Sequence, residues 1–86
     1  MASDYSVGME IRDYRAAVLR AREHFKRFPG IYRVLLFEAE AVSFDEEKGV
    51  WVVVCSFLPG YGATWRVYYE ATVSTEGSIL RVRRLK

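Results

Sequence analysis

The order of apolar and polar residues divides the chain into one helical segment and four extended segments. The stretch from Val50 to Leu58 is the most apolar of them, because eight of its nine residues are hydrophobic and most of these favour strands. Both of its alternating sets are apolar, with Ser56 as the exception, whereas an ordinary half-buried strand has one polar set. This stretch therefore predicts a central strand with two faces that need cover.

Upstream of this strand, apolar residues recur at spacings of three and four, which predicts an amphipathic helix. The apolar stripe consists of Ile11, Tyr14, Val18, Ala21 and Phe25. Pro29 disfavours helical geometry at Phe28, and Gly30 can take the left-handed turn that ends a helix. The helix is therefore expected to run from Met9 to about Arg27, and it can cover one face of a sheet.

The four extended segments are separated by turn signals, and they are Ile31 to Phe44, Val50 to Leu58, Thr64 to Ser74 and Ser78 to Lys86. A change of phase near Leu36 and Phe37 predicts a β-bulge in the first segment. The alternation assigns these residues of the last two segments to the core side: Trp65, Val67, Tyr69, Ala71, Val73, Leu80 and Val82. The predicted fold is α+β, with one N-terminal helix packed on a four-stranded antiparallel meander in two layers.

Length and composition indicate a single domain over residues 1–86, with residues 1–8 as a loosely ordered lead-in. We predict a soluble, cytoplasmic protein with no membrane contact, because no apolar run approaches membrane-spanning length. The single cysteine, Cys55, lies where a small buried hydrophobic residue is expected, which fits a reducing compartment. The chain contains no Asn and no Gln, a composition typical of thermophile proteins.

Charge is distributed unevenly, although the net charge is only +2. Residues 31–58 carry five acidic and two basic groups, while residues 59–86 carry five basic and two acidic groups. Basic residues also form a stripe beside the apolar one on the helix. These two basic sets are candidate nucleic-acid contacts: Arg12, Arg15, Arg22 and Lys26 on the helix, and Arg81, Arg83, Arg84 and Lys86 near the end of the chain. Solvated basic side chains along the helix are the simpler interpretation.

One helix followed by a four-stranded meander is the layout of cystatin-like folds, and the chain resembles PepSY-type modules. The resemblance rests on the helix that leads into Phe28-Pro29-Gly30, on Trp65-Arg66-Val67, and on the turn from Thr75 to Leu80. It implies a small non-catalytic domain, often one attached to secreted or membrane proteins. Cystatin inhibitors carry a Gln-containing hairpin motif, and this chain has no Gln, so protease inhibition is not supported.

The chain has few residues of the types that usually act in catalysis or bind metals. One His and one Cys cannot form a zinc site within a monomer, and we expect His24 to face solvent. Glu38 and Glu40 share one side of the first strand, where two carboxylates are usually solvated. The sequence therefore predicts no catalytic residues, no metal and no cofactor.

Three hypotheses follow from these patterns. The first is a non-enzymatic interaction or regulatory module that forms a homodimer through the open face of the sheet. Its candidate interface residues are Val52, Val54, Leu58, Arg66, Tyr68 and Glu70. The second is a nucleic-acid-binding protein, in which Tyr61 and Tyr68 stack on bases. The third is a small ligand-binding or catalytic domain with a pocket between helix and sheet.

Overall fold

The computed structural model describes residues 13–27 and 33–86. Within them the chain forms one helix, α1 (Tyr14–Arg27), and four strands, β1 (Leu35–Asp45), β2 (Val50–Leu58), β3 (Val67–Ser74) and β4 (Ile79–Arg84). The strands pair antiparallel in the order β1-β2-β3-β4. The helix contacts all four strands from one side of the sheet. The predicted α+β meander with a covering helix is confirmed.

The helix begins at Tyr14 because Asp13 caps it. The Oδ1 atom of Asp13 accepts hydrogen bonds from the backbone N–H groups of Arg15, at 2.6 Å, and Ala16, at 3.4 Å. Residues 9–12, which the apolar spacing also assigns to the helix, lie outside the described residues. Basic side chains in the last described turn interact favourably with the negative end of the helix dipole. The predicted end of the helix near Arg27 falls at the limit of the described residues, because residues 28–32 lie outside them.

The core lies between α1 and the near face of the sheet. Phe25 is fully buried, and its ring centroid lies 5.5 Å from that of Phe57 and 5.0 Å from that of Tyr69. Ala21 lies one turn before Phe25 and Ala17 two turns before it. Both are fully buried, so the helix approaches the sheet closely there. The predicted stripe is wrong at Tyr14, which is 57% exposed, because the buried face is centred on Ala17 instead.

Strand β1 contains the predicted irregularity. Its pairing with β2 shifts register between Leu35 and Glu38, and again between Ala39 and Ala41. Leu36 lies in the first shift with a backbone φ of 53°, a left-handed conformation that non-glycine residues rarely adopt. The β-bulge that the sequence places near Leu36 is confirmed.

Two predicted core residues are exposed. Trp65 is 59% exposed, because β3 begins only at Val67 and the alternation that buries Val67 does not extend back through the preceding loop. Leu80 is 57% exposed, because a register shift between Thr72 and Val73 leaves it as the extra residue of β4. Ile79 pairs with Val73 and packs against the core in its place.

Candidate functional site

The face of the sheet opposite α1, called here the open face, carries the candidate interface. Side chains on directly paired residues share a face, so the strand register assigns its members. They are Leu35, Glu38, Ala41, Ser43 and Asp45 on β1; Val50, Val52, Val54, Ser56 and Leu58 on β2; Tyr68, Glu70, Thr72 and Ser74 on β3; and Arg81 and Arg83 on β4. The structure thus brings the candidates Val52, Val54, Leu58, Tyr68 and Glu70 together, and Arg66 joins them through the contacts described below.

The apolar centre of the open face lies on β2. Val52, Val54 and Leu58 are half-buried, although α1 lies on the other side of the sheet. Their burial is therefore supplied by neighbouring side chains on the same face. The rest of their surface faces outward, so this centre is available to a partner.

A polar cluster around the buried Ser56 lies beside this apolar centre. Ser56 is fully buried, and its Oγ donates a hydrogen bond to Glu40 Oε2 at 2.6 Å. Arg66 donates from Nε to Ser56 Oγ at 2.9 Å and from Nη2 to the Ser56 carbonyl oxygen at 3.1 Å. Nη2 of Arg66 also donates to the carbonyl oxygen of Leu36. We call Glu40, Ser56, Arg66 and the Leu36 carbonyl the Ser56 cluster.

The Ser56 cluster fixes the strained part of β1 to the centre of the sheet. The guanidinium of Arg66 bridges β2 to the backbone of Leu36, and Glu40, from the second register shift, reaches the same serine. Hydrogen bonds between charged and neutral groups stabilise more than neutral pairs do. The cluster therefore holds Leu36 in its unfavourable conformation and leaves its side chain 69% exposed.

The other charged candidate of the open face, Glu70, also has a partner within the chain. Its Oε1 accepts a hydrogen bond from Arg83 Nη2 at 3.1 Å. Next to this pair, the Lys86 ammonium lies 5.1 Å from the centroid of the Tyr68 ring, within the range of a cation–π contact. Arg66 is thus hydrogen-bonded and Glu70 is ion-paired within one chain, so neither needs a partner molecule to supply these contacts.

Charge changes sign across the open face. The β1 edge carries the carboxylates of Glu38 and Glu40, and the β4 edge carries the cations of Arg81, Arg83 and Lys86. The sequence places Glu38 and Glu40 on one side of the first strand. Glu38 lies on the open face by its pairing with Ser56, whereas Glu40 lies in a register shift and accepts a hydrogen bond from Ser56 that the sequence interpretation missed. The apolar centre separates an acidic edge from a basic edge.

The two basic sets proposed as nucleic-acid contacts lie on different sides of the molecule. Arg15, Arg22 and Lys26 are exposed on α1, whereas Arg81 and Arg83 lie on the open face. Arg84 pairs with Tyr69 and so belongs to the opposite side of β4 from Arg83. Arg12 lies outside the described residues. The described residues therefore do not form one continuous basic surface from these two sets.

Two hollows lie along the helix. A groove of about 610 Å³ separates the first turns of α1 from β1, and it is lined mainly by apolar groups, including Val18, Phe44 and Trp51. A smaller hollow of about 410 Å³ lies between α1 and the β3–β4 turn, where the Arg20 guanidinium approaches Gly77. His24 lines this second hollow and is half-buried, with its ring edge-on to Phe25 at 5.8 Å, so the prediction that it faces solvent holds only in part.

The chemistry available in the described residues is limited. Cys55 is fully buried, and burial, with a smaller contribution from Glu40, raises the pKa of its thiol from 9.0 to about 12. Ser56 is equally inaccessible, so its hydrogen bond to Glu40 serves structure and does not present a nucleophile. No group of three or more potential metal ligands occurs within residues 13–27 and 33–86.

No helix in the described part of the chain is long and apolar enough to cross a membrane. Comparison with models of protein families, with curated proteins and with solved structures finds no match to this chain. The resemblance to PepSY-type modules therefore stays a prediction.

Proposed function

We propose that this protein is a small non-enzymatic interaction module that binds a second copy of itself through the open face of the sheet. One observation carries the proposal: Val52, Val54 and Leu58 form an apolar centre on a face that α1 does not cover. Burying such a centre removes apolar surface from water, which favours assembly.

The charges of the open face support a partner of the same kind. A two-fold related copy presents the same acidic and basic edges, so the face can meet opposite charge on both sides of its apolar centre. Arg66 enters such an interface already hydrogen-bonded within its own chain and Glu70 already paired with Arg83, which reduces the cost of removing them from water.

Replacing Val54 with Glu tests the proposal. Val54 is the middle of the three apolar residues on β2, so two copies would bring two carboxylates close together in a buried interface. We expect the wild-type chain to be a dimer in sedimentation equilibrium and Val54→Glu to be a folded monomer. Leu19→Glu is the matched control, because Leu19 is an exposed apolar residue on α1 and its replacement should leave the dimer intact.

A second open-face variant keeps the test informative if Val54→Glu does not fold. Thr72→Lys places a charge on the same face at a half-buried position that pairs with Val52, and it leaves the apolar residues of β2 unchanged. Circular dichroism shows whether each variant folds. A folded open-face variant that remains dimeric, while Leu19→Glu dissociates, would assign the interface to the helix and contradict the proposal.

The nucleic-acid alternative has less support, because its basic groups lie on different sides of the molecule. A protein that neutralises several phosphates binds with an affinity that falls steeply as salt rises. We expect weak or no binding when single-stranded and duplex oligonucleotides are titrated at physiological salt. Tight, salt-dependent binding that is lost in Arg15→Glu/Arg22→Glu would replace the proposal with this alternative.

A further inference from the structure

We infer that the hollow between α1 and the β3–β4 turn binds the phosphate group of a small organic molecule. Arg20 and Arg27 line this hollow on the helix, and Gly77 lines it on the turn, so we call it the helix–turn hollow. It lies on the side of the sheet that α1 covers. The site is therefore separate from the open face and does not rest on the proposed self-association.

Three basic side chains of α1 line the helix–turn hollow. Arg20, His24 and Arg27 follow one another at spacings of four and three residues, which places them on one face of the helix. Among the described residues that line the hollow, Glu23 is the one acidic residue. Two guanidinium groups against one carboxylate give the hollow a net positive charge, whether His24 is protonated or neutral.

The guanidinium of Arg20 has no acidic partner in the described part of the chain. No carboxylate of residues 13–27 and 33–86 lies within 4.0 Å of its nitrogen atoms. Within the same residues, Arg27 has one long ion pair, in which its Nη2 atom lies 3.9 Å from Glu23 Oε1 and both side chains are more than half exposed. An exposed pair of this length contributes little, so both guanidinium groups are available to an anion.

The β3–β4 turn supports the guanidinium of Arg20 at the wall of the hollow. A Cβ atom placed on Gly77 would lie 3.1 Å from Arg20 Cζ and 3.2 Å from Arg20 Nε, so the guanidinium packs directly against the backbone of the turn. This contact limits the directions in which the side chain can point. A side chain that is already restricted loses less conformational entropy when it binds a ligand.

The charge and the remaining lining indicate the kind of anion. A phosphomonoester carries about two negative charges at neutral pH, which matches two guanidinium groups, and the planar fork of N–H donors on arginine fits its oxygen atoms. The hollow has a volume of about 410 Å³, a size typical of small-molecule sites. Leu19 and Ile79 add apolar surface to its lining, so a compact phosphomonoester with an apolar group suits it.

A titration with phenyl phosphate, followed by the amide signals of the protein in NMR spectra at constant ionic strength, tests the site. We expect saturable shifts at Gly77 with a dissociation constant of about 5 mM or below, and binding of benzoate that is weaker by about tenfold. Arg20→Ala should weaken the binding of phenyl phosphate by about tenfold or more, and Glu23→Gln should strengthen it by about threefold. Arg22→Ala is the matched control, because it removes the same charge from an exposed position on α1 outside the hollow.

The same spectra show whether each variant is folded. Weaker binding in Arg20→Ala but not in Arg22→Ala, together with tighter binding in Glu23→Gln, supports the inference. It is overturned if the wild-type chain shows no saturable shift, if benzoate binds as tightly as phenyl phosphate, if the two arginine variants lose affinity equally, or if Glu23→Gln binds no better than wild type. The mass of the chain is measured separately, so a monomeric wild type would contradict the self-association and leave this site unaffected.

Discussion

Arg66 donates a hydrogen bond from its Nε atom to the hydroxyl oxygen of Ser56 at 2.9 Å, and the same guanidinium reaches the Leu36 carbonyl. Leu36 and Arg66 are 30 residues apart in sequence, so this contact fixes the beginning of β1 to the loop before β3. The open face is shaped by this contact, because the Arg66 side chain lies over the serine and helps to bury it.

Removing the Arg66 guanidinium should destabilise the fold. Arg66→Ala removes the donors to Ser56 and Leu36, and we expect a loss of about 2 kcal/mol in the free energy of unfolding, because hydrogen bonds to charged groups contribute about 1.5–3 kcal/mol. Arg22→Ala, on the exposed side of α1, should change stability by less than about 0.5 kcal/mol. Chemical denaturation of both variants measures the difference, and equal stabilities would mean that the Ser56 cluster is not a structural link.

Replacement with glycine should destabilise the fold less at Leu36 than at the neighbouring Leu35. A left-handed conformation costs a non-glycine residue about 1–2 kcal/mol. Glycine avoids this cost, but it lowers the free energy of unfolding by about 0.5–1 kcal/mol, because it loses more conformational entropy on folding. With the Leu36 side chain 69% exposed, Leu36→Gly should be neutral or stabilising by up to about 1 kcal/mol. Leu35→Gly, at a half-buried strand position, should be destabilising in the same denaturation experiment. The opposite order would contradict the strained conformation of Leu36.

The aromatic centre of the core should dominate stability. Phe25→Ala leaves a cavity between Phe57 and Tyr69 and should cost about 3–5 kcal/mol, a large part of the total for a domain of this size. Leu19→Ala is the matched control on the same helix, because Leu19 is 52% exposed, and it should cost less than about 1 kcal/mol. Similar losses for both variants, measured by urea denaturation, would mean that α1 packs on the sheet with another face.

The buried thiol of Cys55 should make stability fall at high pH. The unfolded chain loses the thiol proton near its ordinary pKa of 9.0, whereas the folded chain retains it until about 12. Between these values the unfolded state binds fewer protons, so the free energy of unfolding falls by about 1.4 kcal/mol per pH unit, with no contribution below pH 9. Tyr and Lys side chains also titrate in this range, so Cys55→Ala is the reference.

Denaturation of both proteins from pH 8 to pH 10.5 in a reducing buffer isolates the contribution of Cys55. The wild-type chain should lose about 2 kcal/mol more than Cys55→Ala over this range. Parallel pH profiles would show that the folded protein accommodates the thiolate, and that Cys55 is less deeply buried than the structure indicates.

The sequence predicts the helix and the strands well, because the burial of apolar side chains determines where they form. The alternation through Val67, Ala71 and Val73 and the helical spacing through Ala21 and Phe25 each place residues on the correct face, since apolar side chains there have one core to enter. The turn predicted after β3 contains Gly77, which adopts a left-handed backbone with φ of 95°. Tyr61, one of the two tyrosines considered as base-stacking groups, is 76% exposed in the β2–β3 loop.

The two residues wrongly assigned to the core, Trp65 and Leu80, lie where a strand begins or where its register shifts. Trp65 continues the alternation of β3 in sequence but precedes the strand in space, and Leu80 lies in a register shift of β4. The start of β3 leaves the alternation at Trp65 unbroken, and the register shift in β4 leaves only the adjacent apolar pair Ile79-Leu80, whose choice of face depends on how the two strands pair. Periodicity alone therefore assigns both side chains to the core.

The Ser56 cluster could be predicted only in part. Ser56 interrupts an otherwise apolar strand, and a buried hydroxyl requires hydrogen-bond partners, so the sequence does indicate that partners exist. Their identity depends on the register of β1 and on the path of the β2–β3 loop, which bring Glu40 and Arg66 to it from 16 and 10 residues away. Local patterns do not specify such contacts.

The solution mass of the wild-type chain tests the proposed self-association most directly. Sedimentation equilibrium from low to high micromolar concentration should give a mass that rises to a plateau at twice the 10.0 kDa of the chain. A plateau at the dimer mass is expected because the open face is self-complementary and finite, so that two copies close the assembly. A mass that stays at 10.0 kDa at high micromolar concentration would contradict the proposal.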